Sequence, residues 1–485
     1  MYGDTRRNLT MLTDFYELTM MNGFLSSKTA RKIAYFDLFF RRVPDGGGFA
    51  LAAGLEQLIE YLKTLQFTED DIEYLRGRKL FSTEFLKFLK NFRFTCDVWA
   101  IPEGTPIFPQ EPVVTVRGPV IEAQLIETMA LIIINHQSLI ATKTNRVVRA
   151  AAGRSVMEFG SRRAQGFDGA VLGARAAYIG GADATACTMA DRNFGVPAAG
   201  TMAHSWVQMF DSEYDAFSAY AGTYPQNCLL LVDTYNVLKS GVPNAIRVFN
   251  EKVVSRGFRP AGIRIDSGDI TYLSLKARAM LDAAGFSDCK IVASNSLDEY
   301  IIRDMIIQGA KIDSFGVGER LITAASDPVF GGVYKLVAVE ENGQIVPKVK
   351  LSENVSKLTL PCYKKPWRLY DRASGMAIAD VITLADEEID PQKPYELFDP
   401  DHVWKRKTVT GFTARSLQVP IFKGGECVYK SPLTEEIKAY AAKELKKLWD
   451  EVKRFENPHK YYVDLSPRLW EKRNTLLGEL YARFE

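Results

Sequence analysis

The central third of the chain alternates short apolar runs with longer stretches of helical character. The apolar runs are residues 229–233, 262–265, 290–293 and 311–315. The stretches 271–284 and 297–308 lie between them and predict helices. Each run-and-helix pair takes about 25 residues, which is typical of β/α repeats whose strands are parallel.

The segments on either side of this alternation have a different pattern. Residues 1–145 mix strand signals with helical ones such as 124–149, and the chain after 338 passes from strand-like pieces into a charged helical tail at 435–455. We therefore predict an α/β fold, with a β/α barrel at 146–338. The flanking segments, 1–145 and 339–485, are predicted to form a discontinuous second α/β domain.

Composition and charge narrow the class of protein but not its chemistry. The 485 residues carry 61 Lys plus Arg against 59 Asp plus Glu, a net charge of +2. This balance gives no bulk field for nucleic acid or an acidic membrane, so we expect neither partner. The most apolar run, 119–135, contains Glu122 and Glu127 and is too short to span a bilayer. The six cysteines are scattered without a CxxC pair, which is typical of reduced thiols in a cytoplasmic protein.

Polar and glycine-rich segments close the four apolar runs. They contain Asp233, Arg264, Asp266, Ser267, Gly268, Gly316 and Gly318, together with the cluster 294–296. In parallel β/α folds the loops that follow the strands carry the reactive groups. Glycines there let a phosphate approach backbone N–H groups, and carboxylates can bind ribose hydroxyls or Mg²⁺. Helix capping is the alternative for any single loop, but it accounts poorly for all of them together.

Two further clusters lie in the same central region. Residues 158–166 place Arg162 and Arg163 after an apolar strand and a glycine, and a guanidinium group suits phosphate or carboxylate. Residues 200–206 place His204 between a strand-like stretch and a helix. His204 is the histidine with a strand-end setting, where a neutral imidazole can act as base or nucleophile.

Tyr16 and residues 158–166, 200–206 and 264–269 together resemble, in order, the nicotinate phosphoribosyltransferase family. The resemblance implies a type II phosphoribosyltransferase fold, a TIM-like irregular barrel with a discontinuous second domain, in a homodimer with shared active sites. It also implies transfer of ribose phosphate from 5-phosphoribosyl 1-diphosphate to nicotinate, in NAD biosynthesis by salvage. The implied reaction is coupled to ATP hydrolysis and uses Mg²⁺.

The resemblance also implies roles for individual residues. His204 corresponds to the histidine that ATP phosphorylates, while Phe159 and Tyr16 correspond to two rings that enclose the pyridine, Tyr16 coming from the partner subunit. Arg264 corresponds to a catalytic arginine near the base, and Asp266 to a catalytic acid near the ribose and Mg²⁺, the expected metal ligand. The other positions implied in substrate binding are Arg162, Asp183, Thr201, Asp233, Ser267, Gly268, Gly316 and Gly318.

Four alternative functions remain open from the sequence. Asp183 lies where the related nicotinamide phosphoribosyltransferase has an acid facing the amide, and a carboxylate there would repel nicotinate unless shielded. A helix cap is the other interpretation of Asp183, and the quinolinate enzyme is a shorter relative. An NAD-dependent dehydrogenase is more distant, because Leu321 stands where a third glycine should follow Gly316 and Gly318. A non-enzymatic barrel scaffold would require inert strand ends.

Overall fold

The computed structural model describes residues 8–350 and 358–483. The chain divides into two units: unit 1 is Met1–Leu139 with Val329–Glu485, and unit 2 is Ile140–Pro328. Both limits lie slightly earlier in the chain than the expected 145/146 and 338/339. The expected second limit falls inside a strand, Gly332–Glu341, which pairs with another strand of unit 1.

The N-terminal part of unit 1 mixes strands and helices, as predicted. The strands are β1 Ile33–Phe40, β2 Ala50–Leu51, β3 Asp97–Ala100, β4 Pro106–Ile107 and β5 Val114–Pro119. The helices are α1 Phe15–Ser26, α2 Leu55–Thr64, α3 Glu69–Gly77, α4 Thr83–Lys90, α5 Val120–Leu125 and α6 Glu127–Ala150. The helix predicted at 124–149 is therefore mostly α6, which continues into unit 2.

Unit 2 alternates short strands with helices. The strands are β6 Ser155–Glu158, β7 Ala184–Thr185, β8 Leu229–Leu231, β9 Gly262–Ile265, β10 Lys290–Ser294 and β11 Ser314–Val317. The helices are α7 Phe167–Ile179, α8 Thr188–Phe194, α9 His204–Gln208, α10 Glu213–Thr223, α11 Val242–Val248, α12 Ile270–Ala283, α13 Glu299–Ile307 and α14 Glu319–Ile322. All the strand pairs are parallel, in the order β7-β6-β11-β10-β9-β8.

The parallel α/β architecture predicted for the central region is confirmed, but the sheet is a curled half-barrel instead of a closed barrel. Within the described residues, β7 and β8 lie at its two ends and do not pair with each other. The strand-like stretch at 196–199 adds only one bridge to β7, between Thr185 and Ala198. The chain then forms α9 and α10 before it enters β8, so that segment supplies helices where closure would need strands.

The C-terminal part of unit 1 completes the sheet begun by the N-terminal part. Its strands are β12 Gly332–Glu341, β13 Gln344–Pro347, β14 Lys364–Asp371, β15 Ala377–Leu384, β16 Tyr395–Phe398, β17 Arg406–Val409, β18 Phe412–Ser416, β19 Val419–Lys423, β20 Glu426–Cys427 and β21 Val463–Leu465. The helices are α15 Thr434–Lys446 and α16 Pro467–Ala482. One sheet has the order β13-β12-β1-β5-β3-β19-β20, so both ends of the chain build unit 1. No helix in residues 8–350 or 358–483 is long and apolar enough to cross a membrane.

Candidate active site

The C-terminal ends of β8, β9 and β10 bring together the polar groups that the sequence places after them. Arg264 on β9 donates from Nε to Ser294 Oγ at 2.7 Å and from Nη2 to Asp266 Oδ1 at 2.9 Å. The Ser294 hydroxyl donates to the same Asp266 oxygen, which closes a triangle of three groups. Asp233, which follows β8, accepts through Oδ2 from the Asp266 N–H at 3.2 Å and from the Ser267 hydroxyl at 2.6 Å. Hydrogen bonds thus join three adjacent strand ends.

His204 lies beside this triangle with both ring nitrogens near polar groups. Its Nε2 is 3.7 Å from Asp266 Oδ2, and its Nδ1 is 3.2 Å from the Thr234 hydroxyl. Burial opposes the charge on Asp266, but the Ser294 hydrogen bond and the Arg264 charge outweigh it and lower the pKa of the Asp266 carboxyl. An ionised carboxylate on one side and a hydroxyl on the other orient the imidazole.

Phe159 forms an aromatic surface next to Arg264. The chain leaves β6 at Glu158, and the Phe159 N–H donates to the Val317 carbonyl at 2.8 Å. A Cβ added to Gly316 would lie 2.6 Å from the Phe159 ring, so the ring rests directly on the Gly316 backbone. The guanidinium carbon of Arg264 is 5.9 Å from the centre of that ring. A planar ligand stacked on Phe159 would therefore have a cation near its edge.

The remaining predicted residues of unit 2 differ in how closely they approach this cluster. Thr201 Oγ1 lies 3.3 Å from Arg264 Nη1, which ties the loop before His204 to β9. Gly268 has φ +81°, so it makes the left-handed turn that leads from Ser267 into α12. Arg162 is exposed on the short helical turn Ser161–Arg163. The structure brings together Phe159, Thr201, His204, Asp233, Arg264, Asp266, Ser267, Gly316 and Gly318.

Asp183 does not join them. Its Oδ2 accepts from the Ser155 hydroxyl at 2.8 Å and from the Val156 N–H at 3.3 Å, at the start of β6. About 13 Å of strand separates that point from Phe159, so this geometry does not support the expected substrate contact. It does not support a helix cap either, because Cys187 occupies the N-cap of the next helix, α8. Asp183 instead holds the beginning of the strand.

Tyr16 belongs to unit 1, on α1, with 44% of its surface exposed. Burial, together with the nearby carboxylates of Glu127, Glu17 and Asp14, raises the pKa of its phenol. The ring is therefore a neutral, accessible aromatic surface. Its expected place against the pyridine stays a prediction.

The residues at the strand ends fit magnesium that binds together with a diphosphate. Asp233 and Asp266 supply carboxylates, and Asp233 Oδ1 is buried without a hydrogen-bond partner. In the part of the chain that the structure describes, no group of three or more His, Cys, Asp or Glu side chains could hold a metal. Mg²⁺ commonly binds through one or two carboxylates plus substrate phosphates, so this donor set suits a shared ion better than a protein-only cage.

Comparison with known proteins identifies the family of the chain. A curated nicotinate phosphoribosyltransferase of Bacillus subtilis is 43% identical over 484 residues, covering 100% of this chain and 98% of that protein. The chain belongs to the nicotinate phosphoribosyltransferase family. The family's N-terminal domain matches residues 11–135, and its C-terminal domain matches residues 363–473.

Solved structures related to the nicotinate phosphoribosyltransferase family extend the likeness to the fold. The crystal structure of human nicotinic acid phosphoribosyltransferase matches with a TM-score of 0.85 and 31% identity, covering 96% of this chain and 99% of that one. A nicotinate-nucleotide pyrophosphorylase from Pyrococcus furiosus matches with a TM-score of 0.71 at 23% identity over 92% of this chain and 97% of that one. The second likeness concerns the fold alone.

Three residues of this family member contribute to the site although the sequence indicates no individual role for them. Ser294 holds both Arg264 and Asp266, and Thr234 contacts His204. Glu158, fully buried before Phe159, accepts hydrogen bonds from two other segments. The available signal was positional, since each lies at or just after the end of a predicted strand. A carboxylate in the apolar run of β6 was the clearest of these signals.

Proposed function

We propose that the protein is a nicotinate phosphoribosyltransferase that makes nicotinate mononucleotide and pyrophosphate from nicotinate and 5-phosphoribosyl 1-diphosphate. This reaction would serve NAD biosynthesis by salvage. The observation that carries the proposal is the convergence of Phe159, Arg264 and the His204–Asp266 pair at one edge of the unit 2 sheet. The full-length similarity to the Bacillus subtilis enzyme supports the choice of base.

The chemistry needs positioning more than acid–base catalysis. The ring nitrogen of nicotinate is already a nucleophile, so the protein has to hold the ring flat and in line with C1 of the ribose. Phe159 offers the flat surface, and Arg264 offers a positive charge for the carboxylate of the base. Positive charge develops on the sugar as pyrophosphate leaves, and the Asp233 and Asp266 carboxylates are the groups proposed to stabilise it. Magnesium, when bound with the diphosphate, neutralises the leaving group.

His204 is the proposed acceptor of a phosphoryl group from ATP. An imidazole held between Thr234 and Asp266 is half-exposed and oriented, as a nucleophile requires. Phosphorylation at this point would couple ATP hydrolysis to product formation, because Asp266 links His204 to Arg264. The exposed Arg162 and the loop of Gly316 and Gly318 are the proposed contacts for the phosphates of the donor.

A homodimer completes the proposal. Tyr16 presents an exposed ring on α1, and in the proposed dimer Tyr16 of the partner subunit covers the pyridine. A cytoplasmic location, expected from the six scattered cysteines, stays a prediction. The position of Asp183 weakens the alternative that nicotinamide is the base, because the Asp183 carboxylate accepts hydrogen bonds at the start of β6.

A base-preference assay tests the proposed function. Pyrophosphate release is measured with nicotinate, nicotinamide or quinolinate, each with and without ATP and Mg²⁺. We expect turnover with nicotinate, stimulated by ATP. Preference for nicotinamide or quinolinate, or no turnover with any base, would refute the proposal.

A further inference from the structure

Glu158 is a buried carboxylate that the proposed function leaves without a role. It is 0% exposed and ends β6, one residue before Phe159. One carboxylate oxygen, Oε1, accepts the backbone N–H of Gly160, and the other, Oε2, accepts the Thr185 hydroxyl at 2.6 Å. Phe159 therefore lies between Glu158, whose carboxylate anchors the turn, and Gly160, whose N–H is held by it.

The turn that Glu158 holds has little freedom to move. A Cβ at Gly160 would lie 2.6 Å from Ile322 and 2.8 Å from Glu158 Oε1, so the backbone is in close contact on two sides. The ring of Phe159 in turn presses on Gly316. Loss of the carboxylate would free the Gly160 amide and with it the angle at which the ring leaves the strand.

Thr185 extends the same anchor to the loop that carries His204. Its N–H donates to Pro197 O at 2.9 Å, and its carbonyl accepts from Ala199 N–H at 2.8 Å. Ala199 is followed directly by the loop that reaches Thr201 and His204. The Thr185 hydroxyl also accepts from the Cys187 N–H at 3.0 Å. Its own proton is therefore directed to Glu158 Oε2.

From these contacts we propose that Glu158 is a positioning residue that fixes two loops of the site at once. Oε1 sets the Phe159 turn, which receives the base. Oε2, through Thr185, sets the segment that leads to His204. Burial raises the pKa of the Glu158 carboxyl, while the bonds from Thr185 and Gly160 oppose that rise. The inference rests on the proposed function for its kinetic consequences, but not for its structural ones.

Three variants test separately the two contacts of the Glu158 carboxylate, Oε1 with the Phe159 turn and Oε2 with Thr185. Glu158→Ala removes both acceptors, Glu158→Gln keeps one carbonyl oxygen for Gly160, and Thr185→Val removes only the hydroxyl while keeping the side-chain shape. Hydrogen exchange of segments 159–166 and 197–204 is measured in each variant without any substrate. The Michaelis constants for nicotinate and for the ribose donor are measured in parallel.

We expect Glu158→Ala to speed exchange in both segments and to lower kcat/KM for nicotinate about tenfold or more, since misplacement of a reacting group by ~1 Å costs up to about a hundredfold in rate. Thr185→Val should speed exchange in 197–204 only and leave the nicotinate Michaelis constant near wild type. Glu158→Gln should lie closer to wild type than Glu158→Ala. Asp313→Ala is the matched control, because its carboxylate accepts the Ile291 N–H at the opposite edge of the sheet.

The outcomes are distinguishable. Unchanged exchange in both segments of Glu158→Ala would overturn the positioning role whatever the activity. If Thr185→Val speeds exchange in both segments as much as Glu158→Ala does, the assignment of one carboxylate oxygen to each loop is overturned. A wild-type protein that does not turn over nicotinate would refute the proposed function, while the exchange result would still decide the structural claim. If Glu158→Ala does not fold, exchange in Glu158→Gln and Thr185→Val still tests whether each carboxylate oxygen holds its own loop.

Discussion

Replacing Gly316 with alanine tests whether the glycine exists to seat the Phe159 ring. The added Cβ would stand 2.6 and 2.8 Å from two ring carbons and 3.4 Å from Ser294 Cβ. The φ of Gly316 is not in the left-handed region, so the substitution introduces crowding without backbone strain. The ring must retreat by roughly 0.7–0.9 Å to restore ordinary carbon contacts of about 3.5 Å.

That displacement sets the expected size of the effect. Overpacking of this kind costs about 1–3 kcal/mol of stability. A shift of about 1 Å in a group that orients the base is enough to reduce the rate by up to about a hundredfold. We therefore expect kcat/KM for nicotinate to fall about tenfold or more, with the protein still folded. Gly316 is also a proposed contact for the donor phosphates, so a loss confined to the Michaelis constant for the ribose donor would favour that role over the seating of the ring.

A double-mutant cycle with Phe159→Ala makes the test decisive. Once the ring is gone, the extra methyl of Gly316→Ala has nothing to displace, so the two substitutions should be non-additive in kcat/KM for nicotinate. Gly222→Ala is the control, since nothing lies within 4 Å of its added Cβ and it sits inside α10. It should leave kinetics unchanged and stabilise the fold by about 0.5–1 kcal/mol. Strictly additive losses at Gly316 and Phe159 would refute the reasoning.

The remaining predictions use the same preparations. His204→Ala should abolish stimulation by ATP but keep slow ATP-independent transfer, and undiminished stimulation in the pyrophosphate assay would contradict the coupling role. Tyr16→Ala should raise the nicotinate Michaelis constant, and dilute monomers should be inactive in a concentration series; full activity of monomers would exclude a shared site. Burial beside Asp399 raises the pKa of Asp464 to about 7, so the folded state keeps a proton that the unfolded chain releases and loses stability as the pH rises from about 4 to about 7. The thermal midpoint of Asp464→Asn should therefore exceed that of the wild type by more at pH 8 than at pH 5. An equal difference at the two pH values would contradict this prediction.

The elements of unit 2 could be predicted because their signals are local. The strand expected at 262–265 is β9 Gly262–Ile265, and the helix expected at 271–284 is α12 Ile270–Ala283. The helix expected at 435–455 ends earlier, at Lys446. There, Trp449 leaves the helical path and packs against His459, Tyr461 and Tyr462, a contact that no local periodicity reports. Closure of the sheet is a long-range property in the same way.

The sequence predicts which strand ends form the candidate site, but it does not predict which side chains there bond to one another. Parallel topology alone brings Asp233, Arg264 and Asp266 to one edge. Which acid neutralises Arg264 depends on side-chain directions, and so does the role of Ser294 between them. Asp183 shows the limit, because its carboxylate turns back to the start of β6. Nothing in the sequence around Asp183 indicates that direction.

The site combines groups fixed by strands with groups carried by loops, and the two sets should respond differently to substitution. Arg264, Ser294 and Asp266 bond to one another across adjacent strands within 3 Å, so the sheet fixes their geometry before any substrate arrives. Phe159 and His204 approach that frame at 5.9 and 3.7 Å and are held through their own loops. Those loops depend on contacts outside the triangle, such as the hydrogen bonds of Glu158 with Gly160 and Thr185. Substitutions in the triangle should therefore reduce stability together with activity, while those in the loops should reduce activity alone.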